Sequence, residues 1–244
     1  MDEDLLKMLK YLRLSGLISQ FDRFCEKAKT EDISHVRWLK AIIEQEYRLK
    51  QENARKRRLS RAKIPEIWLF QSFPFARQTK LDKKRITHLY DDFDYMTQAR
   101  NIIFFGPTGV GKTGLATAFL VHALDRGYNG RFILFPELVE LLYKSVADHS
   151  EEKLIKTFAA YDCLLIDELG YVELEPVQVG LFFTLMQKRH KKKATLITSN
   201  LGFEQWASFL KNDHLTAALI DRLTEVSHIV NMKNCGSLRA KLVS

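Results

Sequence analysis

The chain has 244 residues, of which 46% are hydrophobic and 28% charged, the balance of an ordinary globular protein with room for one large domain or a small domain beside a medium one. Its formal net charge of +8 fits a polyanionic partner, and no stretch reaches the roughly 18 uninterrupted apolar residues of a membrane span. The N-terminus, MDEDLLKMLKYLRLSGL, is acidic and then charged throughout, so it is not expected to act as a secretory leader. Cys25, Cys163 and Cys235 are far apart and lack metal-ligand spacing, so a reducing, cytoplasmic setting is expected.

In chain order, residues 1–63 read as all-helical. Leu5, Leu9, Leu12 and Gly16 fall on one helical face, and Leu17, Phe21, Phe24 and Ala28 on another. Ser34 is placed to cap a third, longer helix. Val36, Leu39, Ile43 and Tyr47 are expected to face inward on it, and Pro65 should stop it. Residues 1–63 hold 16 Lys/Arg and 10 Asp/Glu, so +6 of the +8 lies in this segment. That asymmetry marks a separate, basic module for DNA or partner contact.

Residues 64–80, IPEIWLFQSFPFARQTK, are aromatic and without period, and read as a linker that packs on the next domain. From residue 81 to 244, β-like runs (NIIFF, GRFILF, YDCLLID, ATLITS, SHIVNM) alternate with helical segments. Runs that are apolar on both faces and joined by helices predict an α/β fold, with a parallel five-stranded sheet covered on both sides.

Gly106, Pro107, Thr108, Gly109, Val110, Gly111, Lys112 and Thr113 satisfy G-x-x-x-x-G-K-[ST], followed by Gly114, with a strand before and a helix after. Glycines let successive N–H groups turn onto phosphate oxygens at a helix N-terminus. Lys112 is expected to reach the β- and γ-phosphates and Thr113 to ligate Mg²⁺. In CLLIDELGY, Asp167 is placed to hold Mg²⁺ through water and Glu168 to polarise an attacking water, the pairing of an NTP hydrolase. Asn200, after the strand that ends Thr198-Ser199, is placed to reach that water or the γ-phosphate; a helix-capping role for Ser199 or Asn200 is the plainer reading.

Two basic runs are candidates for phosphate contact with DNA: RKRRLSR, with Arg55, Lys56, Arg57, Arg58 and Arg61, and RHKKK, with Lys191, Lys192 and Lys193. Lys144, Lys153 and Lys156 lie on helices after the second strand. Nothing resembles a bidentate base-reading set, so backbone binding with little sequence preference is expected.

The phosphate loop, the Asp-Glu pair, the Thr-Ser-Asn strand end and a later LIDRL stand in AAA+ order. LRLSGL, RAKIP, YDCLLIDELGYVELE, TLITSNLGFEQWASFL and TAALIDRLTEVSHIV resemble the IstB-type insertion-sequence helper ATPases, relatives of DnaC-like helicase loaders, over nearly the whole chain. The resemblance implies an ATP-dependent, homo-oligomeric protein that binds duplex DNA and assists its element's transposase. It also implies that Arg222 of LIDRL is an arginine finger entering a neighbouring subunit's site, against the plainer reading of a local ion pair with Asp221 or Glu225. ATP, and not another nucleotide, follows from the resemblance alone, with Phe73 and Phe75 as candidate base contacts. Where the family usually ends in Ser-Tyr-Arg, this chain reads Ser237-Leu238-Arg239, which removes any contact of that tyrosine. With only KNCGSLRAKLVS after the last strand, no C-terminal helical lid is expected. A helicase loader, a small-molecule kinase and a non-catalytic scaffold are the alternatives.

Overall fold

The computed structural model describes residues 1–31, 33–211 and 213–239. The chain divides into two compact units, Met1–Arg57 and Arg58–Ser244. Among the described residues no helix is long and apolar enough to cross a membrane.

The first unit contains α1 (Glu3–Tyr11), α2 (Ser15–Thr30) and most of α3 (His35–Ala62). Asp2 caps α1 by accepting from the Leu5 N–H at 2.7 Å. The chain then turns through Arg13 in the left-handed region, and α2 begins without a cap from its own side chains. Its cap comes from α3: the buried Glu46 carboxylate accepts from the Leu17 N–H at 3.1 Å. A Cβ at position 16 would lie 2.7 Å from Glu46 Oε2, so a larger residue than glycine would push that carboxylate aside. Trp38 completes the contact by donating its indole N–H to the Phe24 carbonyl.

This capping contact rotates α3 away from the register expected for it. Val36, Leu39, Ile43 and Tyr47 are exposed, at 77, 53, 58 and 62%, and Ile42 and Glu46 face inward instead. Two apolar stripes run side by side on this helix, and the carboxylate that satisfies the start of α2 selects one of them.

The second unit is built on a parallel sheet of β1 (Asn101–Phe105), β2 (Gly130–Leu134), β3 (Cys163–Leu169), β4 (Ala194–Ser199) and β5 (Ser227–Asn231), in the order β2-β3-β4-β1-β5. Successive residues serve opposite faces, as strand geometry requires. Ile102, Phe104, Leu165 and Leu196 join one core with α6 (Lys112–Asp125) and the aromatic residues of 64–98, including α4 (Lys83–Asp92) and α5 (Asp94–Thr97). Ile103, Leu164, Ile166 and Ile197 join a second core with α7 (Phe135–Lys144), α8 (Glu151–Ala160), α9 (Pro176–Arg189), α10 (Trp206–Leu210) and α11 (Asp213–Thr224). The α/β fold with helices on both faces is therefore as the sequence predicts. No helix follows β5 among the described residues.

Helix α3 ends at Ala62 with Lys63 left-handed, two residues before Pro65. Residues 64–80 carry two 3₁₀ turns, Phe70–Ser72 and Phe75–Arg77, with Phe70 and Phe73 buried in the first core.

Candidate nucleotide site

The strand order sets β3, β4 and β1 side by side, so their carboxyl ends open into one crevice. From β1 the chain enters the glycine loop, and Lys112 opens α6. Gly109 and Gly111 have φ of 84° and 97°, a backbone that other residues adopt only under strain. A Cβ on Gly111 would also come within 2.9 Å of Leu238 Cδ1 and of Phe73 Cε2. Lys112 Nζ donates to the Gly106 and Pro107 carbonyls at 2.7 and 2.9 Å. Burial lowers its pKa, opposed by the nearby Asp167 and Glu168 carboxylates.

Thr113 Oγ1 donates to Asp167, 3.0 and 3.2 Å from its two oxygens. Burial raises the Asp167 pKa, opposed by hydrogen bonds from Thr198 and Thr113. Glu168 is exposed and has φ of +62°, a left-handed backbone that costs a residue with a Cβ about 1–2 kcal/mol. Asn200 Oδ1 is buried and has no hydrogen-bond partner in the protein.

These groups border a cavity of about 670 Å³, a size suited to a nucleotide. Of the residues singled out in the sequence, Thr108, Gly109, Gly111, Lys112, Thr113, Gly114, Glu168 and Asn200 line it, as does Phe73. Asp167 lies just behind through its bond to Thr113. Phe75 does not line the cavity; it stacks edge-on against Phe73 with ring centroids 4.8 Å apart.

Sequence reasoning missed Glu66, Trp68, Thr117 and Tyr171 on the cavity wall, and it named Pro65, Leu238 and Arg239 without placing them there. Trp68 packs where a Cβ on Gly114 would stand, 3.1 Å away. The short tail reaches the loop after all: the Leu238 N–H donates to the Gly109 carbonyl at 2.8 Å. Buried Gln78 ties both to the preceding segment, donating to the Val110 and Gly236 carbonyls at 2.8 Å each. Trp68 had an advance signal only as an aromatic residue in a stretch without period, and Leu238 and Arg239 only as the place where the family usually reads Tyr-Arg.

Arg222 is half-buried on α11, does not line its own chain's cavity, and donates to the Ala218 carbonyl with its guanidinium 4.7 Å from the Phe183 ring. Asp221 and Glu225 are not its partners; Glu225 pairs with His190 and Lys191.

Several basic candidates are engaged within the fold. Arg189, which opens the RHKKK run, is 1% exposed and bonded to backbone carbonyls, so it does not belong to a DNA-facing surface. Lys193 pairs with Asp162 at 2.5 Å, and Lys191 with Glu225. Arg58 Nε donates to the Leu124 carbonyl at the end of α6, at 2.7 Å. Lys56, Lys144 and Lys156 pair with glutamates one turn earlier, exposed contacts of little energetic weight. Arg57, Arg61 and Lys192 are exposed.

The family model for IstB-like ATP binding proteins matches residues 7–244. The chain is 31% identical over 222 residues to the ATP-binding protein of insertion sequence IS5376 from Geobacillus stearothermophilus, covering 91% of this chain and 88% of that one. To that of insertion sequence IS21 from Pseudomonas aeruginosa it is 28% identical over 226 residues, covering 93% and 85%. Among solved structures, DnaI superposes with a TM-score of 0.57 at 20% identity over 68% of this chain and 91% of that one. The DnaC helicase loader does so with 0.53 at 24% over 62% and 87%. The last two likenesses establish the AAA+ P-loop fold and no more. The glycine loop at the head of α6, the Asp-Glu pair on β3, the asparagine after β4 and a match over nearly the full length together show that the chain belongs to the family of IstB-like ATP-binding proteins.

Proposed function

We propose that this protein is an ATP-dependent DNA-binding transposition helper. It oligomerises on duplex target DNA and recruits or activates the transposase of its own element, with ATP hydrolysis as the assembly switch. The observation that carries the reading is the convergence of Lys112, Thr113, Glu168 and Asn200 on one cavity, backed by Asp167, in a chain of this family.

The residues fit Mg²⁺-ATP. Gly109 and Gly111 form a cradle that a Cβ would fill. Buried Asn200 Oδ1 lacks a partner within the protein, and the Thr113 hydroxyl and the Asp167 carboxylate offer the hard oxygen donors that Mg²⁺ prefers. Lys112 exchanges its two loop carbonyls for phosphate oxygens, Glu168 orients and polarises the attacking water, and Asn200 fixes that water or the γ-phosphate. Bound Mg²⁺ supplies neutralisation of charge on the β- and γ-phosphates. Arg222, lying away from its own cavity, serves a neighbouring subunit's site, so turnover depends on assembly. The domain plan in this reading is a basic DNA- and partner-binding module over 1–63, a segment over 64–80 that closes the base side of the site, and the ATPase over 81–244.

The test is ATP turnover without DNA, with duplex and with single-stranded DNA, using Lys112→Ala as the blank and Glu168→Gln as the trapped form. Stimulation chiefly by duplex, lost in both variants, is expected. Stimulation by single strands alone would replace this reading with a helicase loader, and indifference to both would remove DNA as the partner.

A further inference from the structure

In a regular strand Asp167 and Glu168 would point to opposite faces of the sheet. The pairing of β3 with β4 avoids this. Ile166 is opposite Ile197 and Leu169 opposite Ser199, so Asp167 and Glu168 together face the single residue Thr198. That is a β-bulge, and its extra residue loses its place in the ladder. The orphaned Glu168 N–H is taken up by Thr198 Oγ1 at 3.0 Å. The same hydroxyl gives its one proton to Asp167 Oδ1 at 2.5 Å. Thr198 is 1% exposed, and both of these bonds are made by its hydroxyl on the cavity wall. Both carboxylates consequently act on Lys112, while Glu168 reaches the cavity with a left-handed backbone.

We propose that Thr198 is a positioning residue for hydrolysis: its hydroxyl locks the bulge that turns Glu168 toward the site of the attacking water, whereas the Asp167 carboxylate is held by Thr113 as well and keeps its place without it. This rests on the hydrolase reading above. Serine preserves the arrangement. Valine, equal in shape, leaves the Glu168 N–H without an acceptor and lets the bulge relax. A displacement of the general base by about 1 Å lowers turnover by up to about 100-fold.

The experiment measures kcat and KM for ATP, and affinity for a fluorescent ATP analogue, in full-length wild type, Thr198→Val, Thr198→Ser, Glu168→Gln and the Val/Gln double variant, with duplex DNA present. Thr198→Val should lose roughly 10- to 100-fold in kcat with analogue affinity unchanged. Thr198→Ser should keep the wild-type rate, and valine should add no further loss on top of Glu168→Gln. Should Thr198→Val not fold, as seen in its melting curve, Thr198→Ala is read in the same way. Normal kcat in the valine or alanine variant, equal loss in the serine variant, or loss confined to affinity each overturns the role of Thr198 while wild-type turnover leaves the hydrolase reading standing. A wild type that binds the analogue and never turns over ATP overturns both.

Discussion

In an Arg189→Met variant the new side chain fills most of the old volume and donates nothing. Arg189 holds the end of α8 to the start of β4: Nη1 donates to the Phe158 and Tyr161 carbonyls at 2.9 and 2.7 Å, Nη2 to the Ala194 carbonyl, and Nε to Thr195 Oγ1 at 3.0 Å. Burial draws the guanidinium pKa down to about 10, so it stays protonated at neutral pH. Thr195 can find another partner, but the Phe158 and Ala194 carbonyls are left bare at about 1–3 kcal/mol each, and the part-buried Tyr161 carbonyl at less. Relief of the buried charge returns part of that. The net loss should be about 3 kcal/mol, or roughly 6–12 °C in melting temperature for a protein of this size. Urea titration followed by circular dichroism reads the stability, and duplex affinity against salt concentration reads the DNA contact. Arg189→Met should keep the wild-type salt slope. A stability loss under about 1 kcal/mol, together with a slope reduced by about one phosphate contact, would refute the structural role and return Arg189 to the DNA-binding surface.

Gly111→Ala should lose about 2–4 kcal/mol from the unfavourable backbone and the encounter with Leu238 and Phe73, and weaken nucleotide binding; unchanged affinity for a fluorescent ATP analogue and an unchanged melt would contradict this. His122 stacks on Tyr90 at 3.9 Å with a buried, unpartnered Nδ1, and burial, then Arg126, lowers its pKa to about 4. A base depressed in the folded state stabilises the fold fully above its unfolded value near 6.5, and that stability is lost as pH falls toward 4. The shift sets a ceiling of about 3 kcal/mol, and partial exposure reduces it to about 1 kcal/mol. Urea stabilities at pH 7.5 and 4.5 should therefore converge in a His122→Gln variant, and an unaltered pH slope would count against the assignment.

The glycine loop, the Asp-Glu pair and the Thr-Ser-Asn end were legible because each lies within a few residues of chain and follows a continuous apolar run that has no reading except a buried parallel strand. Arg189 and Glu46 were not. A basic run and a charged position on an amphipathic helix look solvent-exposed in one dimension, and only the packing of α8 against β4, or of α3 against the start of α2, supplies the unsatisfied carbonyls and amide that draw such side chains inside. Periodicity alone cannot rank two neighbouring stripes, which is why Val36, Leu39, Ile43 and Tyr47 read as inward in the sequence and lie exposed in the fold.

By itself, then, the sequence determined what is local: the order of strands and helices, the phosphate loop with its lysine and threonine, and the carboxylates at the end of β3. Tertiary structure decided what depends on contacts between segments distant in the chain. It laid Leu238 and Arg239 on a loop more than a hundred residues earlier, brought Trp68 and Phe73 over the same cavity, and set Thr198 against the bulge that aims Glu168. Hydrophobic period and backbone propensity act over a few residues, whereas those contacts are chosen by which buried polar groups find partners once the sheet has assembled.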